Sequence, residues 1–214
     1  FYAVGTGIYR SPDGVSWSKC NISEYTGYPI MSIDYGNNMY VCVTSSRAVY
    51  SYDGVNWSYA DMPNYSWRCV CFGNGVFVAA GLTNGYITYS TDGKTWSLAQ
   101  LPSGNVMLHG VCFGSGRFIA AAYNNVEISV DGRSWNVAHA GNVFDACCFG
   151  NDNFVAVGDT ASILRSGTAL IDINTSMNGM QFPSGSMPSV QQWLFRIDGT
   201  KNKIETFWTV DGQT

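Results

Sequence analysis

Apolar and polar residues alternate along most of this chain with a period of two. In the segment 67–98, Trp67-Arg68-Cys69-Val70-Cys71-Phe72 reads as one strand and Val76-Phe77-Val78-Ala79-Ala80 as a second. Tyr86-Ile87-Thr88-Tyr89-Ser90 makes a third and Thr95-Trp96-Ser97-Leu98 a fourth. Gly73-Asn74-Gly75 marks a tight turn between the first two. Asp92-Gly93 marks a second, which the pattern predicts to be a two-residue hairpin with positive φ at both central positions. No stretch keeps an apolar period of 3.6 residues beyond two turns, so helix is not predicted.

The alternation is itself repeated. Ser11-Pro12-Asp13-Gly14-Val15-Ser16-Trp17 recurs as Ser51 to Trp57, Ser90 to Trp96 and Ser129 to Trp135. Asp13, Asp53, Asp92 and Asp131 are therefore 40, 39 and 39 positions apart. A second landmark, an aromatic-Gly pair followed by a turn and another aromatic, runs in the same frame at Tyr35-Gly36, Phe72-Gly73, Phe113-Gly114 and Phe149-Gly150. Five units follow: 1–28, 29–64, 65–105, 106–141 and 142–173. A unit of about forty residues with four short antiparallel strands is one blade of a β-propeller. One blade cannot bury both its faces, so neighbours must stack around an axis.

The expected fold is thus all-β: a propeller of four-stranded antiparallel blades over 1–173, with a C-terminal extension over 174–214. Five blades are counted, or six if a degenerate unit hides in the tail. The first unit lacks its opening strand, because Phe1-Tyr2-Ala3-Val4-Gly5 aligns with 77–81. The fifth has Arg165-Ser166-Gly167 where the Asp-Gly motif is due. Pro183, Ser184, Gly185, Ser186 and Pro188 read as a linker, and 193–197 with 204–210 as a β-hairpin. One hairpin strand could complete the first blade and close the ring. An attachment or oligomerisation role is favoured, since neither strand matches the other opening strands.

Composition narrows the function classes. Apolar residues are 46% of the chain and charged residues only 12%, which suits a rigid globular body rather than a disordered one. A net charge of −4 excludes a broad nucleic-acid surface. No apolar run reaches the eighteen residues of a membrane span. The chain opens on a strand-like Phe1–Val4 without a basic leader, as a mature chain or a fragment would.

Asp13, Asp53, Asp92 and Asp131 can accept backbone N–H bonds across their turns. Trp17, Trp57, Trp96 and Trp135 can fill the wedge between blades. Groups repeated four times read as scaffold, because a catalytic residue is singular. The motif resembles the Asp-box (BNR) repeat of sialidase-like propellers; Tyr89-Ser90-Thr91-Asp92-Gly93-Lys94-Thr95-Trp96 is near its consensus, in a short form lacking one residue between Asp and Gly. The resemblance covers about 1–167, together with the strand pair at 72–79. It implies a propeller of the kind found in bacterial surface proteins and bacteriophage tail fibres, and it implies no particular activity. A sialidase needs three converging arginines, a Tyr–Glu pair and an acid Asp. Here the arginines are scattered over different repeat positions, and five units are fewer than the six blades of that enzyme family. A non-catalytic protein is expected, without cofactor or metal.

Seven cysteines occur. Cys71, Cys112 and Cys148 share one repeat position, read as small buried hydrophobes too far apart for disulfides. Free thiols suit synthesis in a reducing cytoplasm. Binding chemistry is sought where a regular position varies. Met31, Arg68, His109 and Asp145 each stand four residues before the aromatic of the aromatic-Gly pair. Their neighbours are apolar on one side (Ile30, Trp67, Leu108, Phe144) and small on the other (Ser32, Cys69, Gly110, Ala146). This places the variable residue at the entrance of each innermost strand, on the rim of the central channel. Tyr28 and Tyr65 lie on loops into that rim, and Arg47, Tyr123 and Asn124 on loops between second and third strands. Trp67 reads as core. Aromatic faces beside amides and carboxylates suit sugars. The expected function is therefore a receptor- or glycan-binding propeller of a phage tail or cell surface. Its partners would be a cell-surface glycan or protein receptor and other subunits of a larger assembly, including copies of itself. A structural interaction propeller is the alternative, and a glycosidase the third reading.

Overall fold

The computed structural model describes residues 1–22, 28–82, 85–101, 107–159, 162–166, 192–198 and 203–209. These form strands and turns and no helix. The strands gather into small antiparallel sheets that follow the sequence units in chain order. The first sheet holds Tyr2–Val4, Ile8–Arg10 and Ser18–Lys19. The second holds Ile30–Gly36, Met39–Thr44, Ala48–Ser51 and Asn56–Tyr59. The third holds Trp67–Gly73, Val76–Gly81, Ile87–Ser90 and Ser97–Leu98. The fourth holds Leu108–Gly114, Arg117–Ala122, Asn125–Ser129 and Asn136–Ala140. The fifth holds Ala146–Gly150, Asn153–Val157 and Ile163–Arg165.

Four antiparallel strands per unit hold for the three middle sheets. The first and fifth sheets have three strands each among the described residues. The linker at 183–188 and the 173/174 boundary lie outside the described residues. Gln192–Asp198 and Lys203–Thr209 pair as the expected hairpin, with Gln192 opposite Thr209 and Asp198 opposite Lys203. Neither strand joins the ladder of the first sheet.

Two kinds of turn connect the strands. Between first and second strands, Asn37-Asn38, Asn74-Gly75, Ser115-Gly116 and Asn151-Asp152 have positive φ at both positions, as a two-residue hairpin that matches strand twist requires. The Asp-Gly turns differ from expectation. Ser51 and Asn56 bracket four residues, and Gly54 alone among them has a positive φ. The carboxylate closes this longer turn by capturing backbone N–H groups, so a two-residue hairpin is not needed.

Successive sheets pack face to face. Met39, Val41 and Val43 of the second meet Phe77, Ala79 and Trp96 of the third. Val76, Val78 and Ala80 of the third meet Phe118, Ala120 and Trp135 of the fourth. Ile119 and Ala121 of the fourth meet Phe154 and Ala156 of the fifth. Ile8 of the first meets Cys42, Val49 and Trp57 of the second. The first strands of the second to fifth sheets lie side by side. There the glycine of each aromatic-Gly pair admits the next sheet: a Cβ on Gly36, Gly73 or Gly114 would fall inside the ring of Phe72, Phe113 or Phe149. Asn37 Nδ2 donates to Gly75 O and Thr91 O at 3.3 and 3.2 Å, and Asn74 Nδ2 to Gly116 O and Val130 O at 3.0 Å each.

A further tie was not legible in the strand pattern. The chain leaving one sheet makes a parallel contact with the outer edge of the next before entering it. Asn21–Ile22 pairs parallel with Asn56–Trp57, and single parallel bridges join Asp61 to Thr95 and Gln100 to Ser134. Asp61 N donates to Lys94 O at 2.7 Å and Gln100 N to Arg133 O at 3.0 Å.

Candidate functional site

The variable position of the repeat is a β-bulge. Ile30 pairs with Thr44 and Ser32 with Val43, so Met31 is an extra residue with no partner. Trp67 pairs with Gly81 and Cys69 with Ala80, leaving Arg68. Leu108 pairs with Ala122 and Gly110 with Ala121, leaving His109. A bulge re-aims one side chain out of the ladder and is common beside binding sites. The preceding apolar residue fixes it: Ile30, Trp67 and Leu108 are buried. Trp67 also donates its Nε1–H to Pro63 O at 2.9 Å. In the fifth sheet Asp145 directly precedes the first strand, behind buried Phe144, with its N–H on Val157 O at 2.8 Å.

Adjacent inner strands bring two of these residues together. His109 Nδ1 lies 2.7 Å from Asp145 Oδ1, the imidazole half-buried and the carboxylate exposed. With Nδ1–H donating to the carboxylate, Nε2 is left as an acceptor; with both nitrogens protonated the contact is an ion pair. Arg68 and Met31 are exposed at the equivalent positions, and the Arg68 guanidinium makes no hydrogen bond or ion pair among the described residues. The variable repeat position therefore carries an arginine, a histidine and an aspartate on three consecutive sheets.

Aromatic surface stands near the same entrances. Tyr65 stacks on Tyr86 with ring centroids 3.9 Å apart and meets Trp67 edge-on at 5.9 Å. The Tyr65 phenol is pushed up by its hydrogen bond to Tyr86, by that ring's charge and by burial. Tyr86 was not singled out from sequence as a site residue, although it directly precedes the third strand, Ile87–Ser90. Tyr28, Tyr123 and Asn124 are exposed. Tyr123 N donates to Met107 O and Asn124 O accepts from Gly141 N, so the backbone is held while both side chains face outward. The Arg47 guanidinium sits 5.0 Å over the Tyr59 ring of its own outer strand. It does not join the His109–Asp145 pair.

The repeated aspartates are occupied by the backbone. Asp13 Oδ1 accepts the N–H of Val15 and Ser16, both at 2.8 Å, and Asp53, Asp92 and Asp131 repeat this at 2.8–3.0 Å. The N–H groups of Ser16 and Val15 and the Ser11 hydroxyl hold Asp13 down at about 2. The N–H of Asn56 holds Asp53 lower still, and the N–H of Thr95 lowers Asp92. At Asp131 burial pushes upward, and the N–H groups of Ser134 and Arg133 outweigh it. Indole N–H groups of Trp17, Trp96 and Trp135 donate to the turn glycine's carbonyl at 3.2 Å. Trp57, Trp96 and Trp135 are buried between sheets, whereas Trp17 is exposed; among the described residues no sheet covers its side of the first one.

The cysteines divide in the same way. Cys112 is buried and Cys71 half-buried, but Cys148, at the same repeat position, is exposed on the outer face of the fifth sheet. All seven are free. Burial pushes Cys69 up to about 12 and Cys42 well above the usual thiol range, which removes them as nucleophiles at neutral pH. Burial lowers the pKa of His139, which stands edge-on to Phe144 at 5.7 Å. Among the described residues no group of three or more His, Cys, Asp or Glu is placed to hold a metal, and no helix is long and apolar enough to cross a membrane. A 380 Å³ cleft lined by Gly7, Lys19, Cys20, Asn21 and Ile22 lies at the outer edge of the first sheet. None of the rim residues lines it, and a single lysine gives it little recognition chemistry.

No family model matches the chain, and no curated protein sequence matches it. Solved structures resemble it. YCF48 bound to D1 peptide superposes with a TM-score of 0.59 at 17% identity, over 77% of this chain and 59% of that one. Streptogramin B lyase gives 0.64 at 10%, over 91% and 68%. The nidogen/laminin complex gives 0.60 at 14%, over 77% and 70%. This chain thus spans 59% of the length of YCF48. The likeness shows a β-propeller fold and, at these identities, nothing about activity.

Proposed function

We propose that this chain is a five-bladed, non-catalytic propeller that binds a cell-surface glycan at its axial rim, as a domain of a phage tail fibre or other surface-attached protein. The Ser-x-Asp-Gly-x-x-Trp turns support its reading as an Asp-box repeat of that kind. The observation that carries the binding role is the series of bulged or strand-entry residues: Arg68, then His109 and Asp145 at 2.7 Å. One scaffold position presents three different polar groups, and Tyr28, Tyr123, Asn124 and the Tyr65–Tyr86 stack supply ring faces and an amide nearby. Sugars use both kinds of surface. The four turn aspartates are bonded to backbone N–H groups and burial keeps the Cys42 and Cys69 thiols protonated, which supports binding over catalysis.

A glycan array probed with the full chain tests the reading. A specific signal abolished by Arg68→Ala or Asp145→Ala is expected; signal unchanged by both variants contradicts it. A second reading has its own support: YCF48 is described with a bound peptide and nidogen in complex with laminin, so this fold also receives polypeptide. A peptide array run with the same variants separates protein receptor from glycan.

A further inference from the structure

The joint between the fourth and fifth sheets differs from the others at one repeat position. Ile33, Val70, Val111 and Cys147 each stand two residues before the aromatic of the aromatic-Gly pair. Val70 and Val111 face the preceding sheet: Val70 clusters with Met39 and Val41 of the second, and Val111 with Val78 and Ala80 of the third. Cys147 faces the preceding sheet in the same way, packed against the cluster that holds Cys112, Ile119 and Ala121 of the fourth. A thiol thus stands where the two preceding units carry valine. The backbones are closely apposed there, since a Cβ at Gly110 would lie 3.2 Å from Cys147 N.

The next position along the strand reaches the other way, toward the following sheet. Asp34, Cys71 and Cys112 occupy it, and Asp34 Oδ2 accepts the N–H of Phe72 at 2.6 Å. Cys112 points from the fourth sheet into the fifth, clustered with Phe154, Ala156 and Leu164. Between the third and fourth sheets a thiol, Cys69, packs with Val111. Between the fourth and fifth, a thiol meets a thiol. Cys147 Sγ lies 3.5 Å from Ile119 O, and Ile119 is the residue opposite Cys112 in the ladder. The two thiols are in hydrogen-bond contact, which together with burial pushes Cys112 up.

We propose that Cys112 and Cys147 are a disulfide-forming pair that locks the fourth and fifth sheets together when the protein meets a peroxide oxidant. Cys147, half-buried where Cys112 is buried, reacts first. Its sulfur attacks one oxygen of hydrogen peroxide and the O–O bond breaks. The leaving hydroxide takes the thiol proton as water, and a sulfenic acid remains. The Cys112 sulfur then attacks the sulfenic sulfur, forms the S–S bond and expels hydroxide, which takes the Cys112 proton as a second water. Two thiols lose two electrons and one peroxide gains them. Burial makes this slower than oxidation of an exposed thiolate. A reducing cytosol leaves the pair open and an oxidising exterior closes it. The bond ties together the strands that His109 and Asp145 enter, three and two residues upstream, and does not depend on what those residues bind.

The test treats the full chain, purified reduced and then desalted, with hydrogen peroxide. Remaining thiols are counted after denaturation by maleimide labelling and intact mass, and linked peptides are mapped. Wild type is expected to lose two of its seven thiols, with Cys112 joined to Cys147 within one chain. Dithiothreitol should restore both thiols and lower the melting temperature of the oxidised form. Cys147→Val, which installs the residue of the third and fourth units, should lose none of its thiols, and Cys148→Ser should still form the link. Circular dichroism verifies folding, and Cys112→Ala takes the place of Cys147→Val if that variant does not fold. An unchanged thiol count in wild type overturns the proposal. So do sulfinic or sulfonic acid at Cys147 without a link, a link through Cys148 or between chains, and thiol loss that survives Cys147→Val.

Discussion

His109 Nδ1 stands 2.7 Å from Asp145 Oδ1, although 36 residues separate them in the chain. The separation is one repeat. Both residues enter the first strand of their sheets, and the first strands of consecutive sheets lie side by side. This placement is what brings the repeat-equivalent residues of the fourth and fifth sheets together. The side chain at this position varies from unit to unit, while the preceding apolar residues Ile30, Trp67, Leu108 and Phe144 stay buried.

Asp145→Ala should separate binding from folding. An exposed pair of this kind contributes at most about 1 kcal/mol to stability, so urea denaturation should move little while rim binding is lost. A large loss of stability would make the pair a structural tie instead.

Trp96→Ala and Trp17→Ala remove the same side chain from equivalent turns and should differ sharply. The buried indole leaves a cavity between two sheets, costing about 3–5 kcal/mol. The exposed one should cost less than about 1 kcal/mol. Chemical denaturation of both variants checks this, and equal losses would contradict the packing described.

Glycine substitutions probe the axis. Gly73→Ala drives a methyl into the Phe113 ring and should cost about 1–3 kcal/mol or more, the usual penalty of overpacking. Gly150→Ala meets nothing within 4 Å and should leave the melting temperature within a degree or two of wild type, as a change within about 0.5 kcal/mol does.

The turn aspartates make the fold sensitive to acid. Their folded pKa values lie below the unfolded value of about 3.9, with Asp13 at about 2. Each therefore stabilises the fold above that unfolded value and loses the contribution as pH falls through the folded one. Melting temperature should hold above about pH 5 and fall between about pH 4 and 2. Replacing all four aspartates by asparagine should flatten that fall. An unchanged acid profile in the fourfold variant would show the carboxylates to be idle.

The repeat, its strands and the burial of Trp67 were legible in the sequence because period-two alternation and turn chemistry are local. The third unit's strands fall within two residues of those its alternation marks. What one strand meets across the gap to another sheet is not local. The exposure of Trp17 and Cys148 depends on a neighbouring sheet being present, and repeat equivalence alone assigns all four copies the same burial. The His109–Asp145 contact needed the side-by-side placement of inner strands, and the Tyr65–Tyr86 stack the meeting of two loops of one sheet. The Asp-Gly turn departed from the short-hairpin expectation because a side-chain acceptor can close a longer turn than backbone pairing does. The stacking of Arg47 over Tyr59 joins a loop to the outer strand of the same sheet, a contact that strand alternation does not mark.

Hydrogen–deuterium exchange, with and without the ligand that an array selects, measures where the protein is contacted. Protection at 28–31, 65–69, 107–110, 123–125 and 143–146 together is the expected footprint, since these segments carry the proposed site. Protection confined to the outer strands or to 192–209, with the rim exchanging as before, would contradict the account.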